Sequence, residues 1–77
     1  MEEKILKIIK TICGMDLRQN MDVNLFSEGW LNSLTTIELL IEIEEELGIV
    51  IEPTEVERND IDTPRKIVDF VARKFQK

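Results

Sequence analysis

Glu28-Gly29-Trp30-Leu31-Asn32-Ser33-Leu34-Thr35-Thr36-Ile37-Glu38-Leu39-Leu40-Ile41-Glu42-Ile43-Glu44-Glu45-Glu46-Leu47-Gly48 is the stretch from which the fold is read. A glycine turn at Gly29 is followed by apolar residues at helical spacing, which predicts a helix from about Ser33 to Leu47. Gly48 is the residue type that ends such a helix in the left-handed conformation. On a 100° wheel, Leu39, Leu40, Ile43 and Leu47 fall on one face, while Leu34, Ile37 and Ile41 fall on another, roughly 140° away. A helix in a small bundle buries one broad stripe. The second stripe, bordered by Glu38 and Glu45 on one side and Glu44 on the other, leaves two readings open. Either it packs beneath the preceding loop, or it is an apolar docking strip with an acidic rim that steers a basic partner. Ser33 itself reads first as an N-cap, the usual role of a serine at a loop–helix junction. The same junction also favours a phosphate, because unpaired N–H groups and the positive end of the helix dipole converge there.

Working outward, Ile5, Leu6, Ile8, Ile9, Ile12 and Cys13 repeat at helical spacing, with Lys4, Lys7 and Lys10 opposite. Glu2 and Glu3 in the first turn and Gly14 after the last suit a helix dipole and a glycine stop. This basic amphipathic segment is read as core-forming rather than membrane-lying, because so short a chain needs it for its interior. Residues 15–32 lack periodicity and make a long loop, with Leu25 and Phe26 expected to pin it. Ile49-Val50-Ile51 is a short apolar connector, and Pro53 opens a brief helical turn through Glu57. Thr63-Pro64 reads as an N-cap followed by proline in the first helical position. The last helix has Ile67, Val68, Val71 and Phe75 on one side. The expectation is an all-α, small four-helix bundle, three main helices and one short one, forming a single domain over residues 1–77.

The chain carries 16 acidic and 10 basic residues, a net charge of −6, which argues against a nucleic-acid partner. Its distribution is uneven: residues 1–15 carry +1, residues 16–62 carry −11 and residues 63–77 carry +4. An acidic middle suits basic proteins. The one cysteine rules out an internal disulfide and fits a reducing compartment, and Cys13 is read as a small buried hydrophobe. No apolar run approaches membrane-spanning length and the N-terminus is too polar for a signal peptide, so the cytoplasm is the expected location. No metal is expected. A calcium loop starting at Asp16 would place Arg18 at its third position and Met21 where glycine is required. No catalytic residue is expected either: the chain has no histidine, and its glutamates lie along a helix rather than in a cleft.

Leu25-Phe26-Ser27-Glu28-Gly29-Trp30-Leu31-Asn32-Ser33-Leu34, continuing through Thr36-Ile37-Glu38-Leu39-Leu40, resembles the attachment site of acyl and peptidyl carrier proteins. Length, acidity, the loop before the second helix and the helix order agree over essentially the whole chain. In that family an Asp-Ser-Leu sequence opens the second of four helices, and the serine receives 4′-phosphopantetheine from coenzyme A. The glycine placement, Glu55-Val56-Glu57-Arg58, Asp62-Thr63-Pro64 and Ile67-Val68 look like stand-alone D-alanyl carriers, with other discrete carriers sharing pieces of the pattern.

The resemblance implies that Ser33 bears a covalent 4′-phosphopantetheine arm and that the chain is a monomeric carrier, not an enzyme. It holds acyl or aminoacyl groups as thioesters, whether D-alanine for teichoic acid modification, a fatty acyl chain or a polyketide unit. The implied partners are a phosphopantetheinyl transferase, an acyl- or aminoacyl-activating ligase, and acyltransferases or synthases with basic docking patches. Asn32, Leu34, Ile37, Glu38, Ile41 and Glu45 match the face that family members present to those enzymes, and the three apolar residues are placed to shield part of a short acyl chain. Asn32 stands where the family usually has Asp. It keeps the size and hydrogen-bonding reach but loses the charge, which implies weakened or specialised recognition by the transferase. Trp30 is larger than the usual aliphatic residue and is expected to anchor the loop rather than to touch cargo. The competing class is an unmodified acidic helical adaptor that binds a basic partner.

Overall fold

The computed structural model describes residues 2–75, which form three α-helices, α1 (Glu2–Cys13), α2 (Ser33–Leu47) and α3 (Pro64–Phe75). Two single-turn 3-10 helices, Pro53–Glu55 and Arg58–Asp60, lie between α2 and α3. Among the described residues there is no strand, so the architecture is the expected all-α one. The short helix expected from Pro53 through Glu57 ends at Glu55, and a second turn, Arg58–Asp60, follows beyond the expected bounds. Val56 is extended (φ −119°, ψ 129°) and turns its branched side chain toward the core, which interrupts the helical run. Each turn is closed by its own carboxylate. Glu52 N–H donates to Glu55 Oε2 (2.8 Å), and Glu57 N–H donates to Asp60 Oδ2 (2.9 Å).

Each helix ends where local chemistry ends it. Gly14 N–H donates to Lys10 O and Gly48 N–H to Glu44 O, both at 2.7–2.8 Å, with both glycines at positive φ. A side chain at Gly48 (φ 71°) would carry the strain of the left-handed region, which glycine avoids. Thr63 caps α3, its Oγ1 accepting from Lys66 N–H at 3.2 Å, ahead of the proline.

The core is drawn from all three α-helices and from the loops between them. Ile5 and Ile9 of α1, Leu39 and Ile43 of α2, and Ile67 and Val71 of α3 are almost wholly buried. Each such side chain contributes about 1.5–3 kcal/mol of burial. Phe75, expected on the same side of α3, is exposed. Cys13 is half-buried rather than buried, and that partial burial raises its thiol pKa above the usual value.

The long loop before α2 is tied down at several points. Leu17, Leu25 and Leu31 are buried, and Phe26 and Trp30 pack against the core at partial exposure. Leu25 is the hub. Its carbonyl accepts from the N–H groups of Trp30 and Leu31 (2.9 and 3.1 Å), and its own N–H donates to Asp62 O at 2.7 Å. Arg65 N–H donates to Met21 O, and Arg65 Nε pairs with Asp22 Oδ1 at 2.8 Å. The loop is thereby fastened to the start of α3, which sets the position of α2's first residue.

Candidate functional site

The start of α2 is built by Asn32, not by Ser33. Asn32 has extended backbone angles and is the N-cap. Its Oδ1 accepts from Thr35 N–H at 3.0 Å, and its N–H donates to Thr35 Oγ1 at 2.8 Å. This reciprocal pair is a capping box with threonine at the third helical position. The reading of Ser33 as the N-cap is therefore corrected. Asparagine in extended conformation reaches the N–H of the third helical residue as well as serine does, and here it stands one position earlier. Ser33 is the first helical residue, exposed, with its hydroxyl not used to close the helix.

Two local features make this point receptive to an anion. The first N–H groups of a helix lack intrahelical acceptors, and the dipole places about half a positive charge there. The first turn of α2 carries no acidic residue. Asn32 keeps it so: aspartate would form the same cap while adding a negative charge beside Ser33. From Ser33 a groove of about 320 Å³ extends between α2 and the 3-10 turns. Phe26, Leu40, Val56 and Ile61 supply apolar walls, Asn32, Thr36 and Arg58 supply polar groups, and Glu57 adds a carboxylate. Thr36 Oγ1 is buried there without a hydrogen-bond partner among the described residues. The Arg58 guanidinium carbon lies 4.4 Å from the centroid of the Phe26 ring. The groove thus sets apolar walls beside a guanidinium at the foot of α2's first turn.

The two stripes of α2 have different fates. Leu39 and Ile43 are each 1% exposed and Leu40 is buried, whereas Leu34, Ile37 and Ile41 are 69%, 39% and 49% exposed. The second stripe does not pack beneath the loop, because Leu25 and Leu31 send the loop's apolar side chains into the core instead. Glu38, Glu44 and Glu45 are exposed around it. Ser33, Leu34, Ile37, Glu38, Ile41 and Glu45 thus share the solvent side of one helix, with Asn32 at its head.

Val50 belongs to the same surface and was not singled out from sequence. It is 53% exposed between buried Ile49 and Ile51, and with Ile37, Ile41, Glu44 and Glu52 it lines a shallow depression of about 140 Å³. The available signal was the extended alternation of Ile49-Val50-Ile51, which turns the middle residue outward when its neighbours turn in. In the sequence Arg58 stands only in a tail pattern, and no sequence rule brings it to the groove that Ser33 also lines. Among the described residues no cluster of His, Cys, Asp and Glu is arranged to hold a metal ion, and no helix is long and apolar enough to cross a membrane.

Comparison with known proteins shows the family. Residues 3–71 match the family model described as "Phosphopantetheine attachment site". The chain is 39% identical to the D-alanyl carrier protein of Abiotrophia defectiva over 75 residues, covering 96% of this chain and 95% of that one. It is 44% identical over 68 residues to D-alanyl carrier protein 2 of Lactiplantibacillus plantarum, covering 88% and 85%. Identity to the D-alanyl carrier protein of Enterococcus faecalis is 41% over 71 residues, covering 91% of each.

Proposed function

We propose, for a chain that belongs to the phosphopantetheine attachment family and is a carrier protein with a covalent 4′-phosphopantetheine, that Ser33 bears the arm and D-alanine is the cargo. The observation that carries the first half is the division of labour at the helix start. Asn32 and Thr35 close the cap, which leaves Ser33 exposed with an uncommitted hydroxyl. The relatives' names support the second half, at about 40% identity over nearly the whole chain.

In the loading step, Ser33 Oγ attacks the β-phosphate of coenzyme A within the transferase. The Oγ–phosphorus bond forms, the pyrophosphate linkage breaks, the adenosine bisphosphate half departs, and the hydroxyl proton passes to a base of the transferase. When bound, the arm supplies a thiol that holds the acyl group as a thioester. The chain's own residues do the rest. Asn32 and Thr35 fix the direction of the first turn, the first-turn N–H groups and dipole face the phosphodiester, and the absence of a first-turn carboxylate spares it repulsion.

Leu34, Ile37 and Ile41 with Glu38 and Glu45 form the docking face for the transferase, for a D-alanine-activating ligase and for the acyltransferase that receives the cargo. The apolar centre supplies affinity and the glutamates steer basic patches. All bond-making is assigned to those partners, and the chain works as a single monomeric domain in the cytoplasm, where coenzyme A is available.

Intact-mass measurement tests both halves. Incubation with coenzyme A and a broad-specificity transferase should add one phosphopantetheine to the wild type and none to Ser33→Ala. Subsequent incubation with ATP, D-alanine and a D-alanine-activating ligase should add one alanyl group. An unchanged wild-type mass with several transferases would favour the unmodified adaptor. Loading by a fatty acyl ligase but not by the D-alanine ligase would reassign the cargo.

A further inference from the structure

Arg58 is an unusual presence where it stands. Residues 16–62 hold only two basic side chains, Arg18 and Arg58. Arg18 is committed to carboxylates, with Nη2 2.8 Å from Glu3 Oε1 and Nε 3.7 Å from Asp16 Oδ1. Arg58 forms no ion pair among the described residues. It is held instead over the Phe26 ring at 4.4 Å, an arrangement that orients a guanidinium without neutralising it. Both residues line the groove that opens at Ser33, and Thr36 contributes a buried hydroxyl oxygen with an unmet hydrogen bond. At about 320 Å³ the groove lies at the small end of ligand-sized clefts, which span roughly 300–1,000 Å³.

We propose that Arg58 and Thr36 form a cradle for the root of the prosthetic arm. Arg58 is the counter-ion of the phosphodiester, and Thr36 Oγ1 hydrogen-bonds the first polar group of the pantetheine chain beyond it. The occupant follows from chemistry. A phosphodiester is a permanent anion near neutral pH, and the groove offers one cation without an ion pair among the described residues, Arg58, held over the Phe26 ring, against one carboxylate, Glu57. The hydroxyl and amides of pantetheine suit a lone hydroxyl, and its dimethyl carbon suits Leu40, Val56 and Ile61. Arg58 is a positioning residue in this scheme. It holds the arm against the carrier between visits to partner enzymes and touches no reacting atom. The proposal rests on Ser33 bearing the arm.

The test compares apo and holo protein by NMR, with loading verified by intact mass, in wild type, Arg58→Gln, Arg58→Lys and Thr36→Val. Matching apo amide spectra establish that each variant folds. Conversion to holo should move the Arg58 Nε–Hε and Phe26 ring resonances by more than any residue of α1. The ³¹P resonance of the arm should shift in Arg58→Gln, stay close to wild type in Arg58→Lys, and lose its dependence on Arg58 at high salt. The Thr36 amide should respond in wild type, and in Thr36→Val the pantetheine methyl resonances should approach those of free pantetheine. A confirmed mass gain with Arg58 Nε unmoved and changes confined to Ser33 and its sequence neighbours would overturn the cradle alone. No mass gain in wild type would overturn the Ser33 reading and the cradle together.

Discussion

Asn32 and Thr35 exchange hydrogen bonds across the first turn of α2, Thr35 N–H donating to Asn32 Oδ1 at 3.0 Å and Asn32 N–H donating to Thr35 Oγ1 at 2.8 Å. The exchange separates two tasks that a serine at a loop–helix junction would otherwise combine. Helix initiation rests with Asn32, and Ser33 can be modified or replaced without disturbing it.

Stability measurements should reveal that separation. Asn32→Ala should cost about 1 kcal/mol in urea unfolding, the usual loss for an N-cap. Asn32→Asp should be neutral or gain about 0.3–1 kcal/mol, because the cap is kept and a negative charge meets the dipole. Ser33→Ala should stay within about 0.5 kcal/mol of wild type. A loss at Ser33 as large as that at Asn32 would return the capping role to the serine.

The stripes of α2 should separate in the same assay. Ile43→Ala should cost about 2–5 kcal/mol through the cavity it leaves in the core. Leu34→Ser and Ile41→Ser, on the exposed face, should change stability by no more than about 0.5 kcal/mol. Comparable losses at all three would mean that the second stripe is packed in solution.

Charge reversal at Glu38 and Glu45 should slow association with a basic partner enzyme, most strongly at low salt, while leaving the helical circular dichroism unchanged. Calorimetry and stopped-flow mixing give the affinity and the on-rate. Unaltered binding of the double variant would exclude this face as the docking site.

Val50→Asp should weaken the same association without unfolding the protein, since Val50 is more than half exposed beside Ile37 and Ile41. Its effect should appear chiefly in the dissociation rate, as expected for an apolar contact. Full-strength binding would confine the docking surface to α2.

The Asp22 carboxyl is held below its ordinary value, first by the hydrogen bond from Arg65 and then by the charge of that guanidinium. Because the folded-state value is depressed, the pair favours the fold above the unfolded carboxyl's range of about 3.9. That contribution is lost as pH falls through the folded value. Both groups are exposed, so the gain is small and screened by salt. An NMR titration should give a low Asp22 midpoint in wild type that returns toward the ordinary value in Arg65→Gln.

Much of the fold is written in local pattern. Gly14 and Gly48 end their helices, Thr63-Pro64 starts the last one, and the spacing of Leu39, Leu40 and Ile43 marks the core stripe. These signals act over one or two turns, so a linear reading finds them. The loop residues Leu17 and Leu31 are core members that no period announces. Leu31 is turned inward where its N–H bonds the Leu25 carbonyl, and Leu17 lies in a turn closed by Asn20 N–H on its own carbonyl. Val56 cuts the expected short helix short: a long-range contact outweighs local propensity.

Residue order alone placed Ser33 at the head of an acidic amphipathic helix and put two apolar stripes on that helix, because dihedral preference and period are properties of neighbours. The cap at Asn32 is a local pairing with Thr35, whereas tertiary structure decided which stripe faces solvent and brought Phe26 and Arg58 to the groove that opens at the serine. Those outcomes depend on where the loop and the 3-10 turns come to rest against α2. That is settled by burial of Leu25, Leu31 and Ile61 in a shared core, not by any local sequence rule.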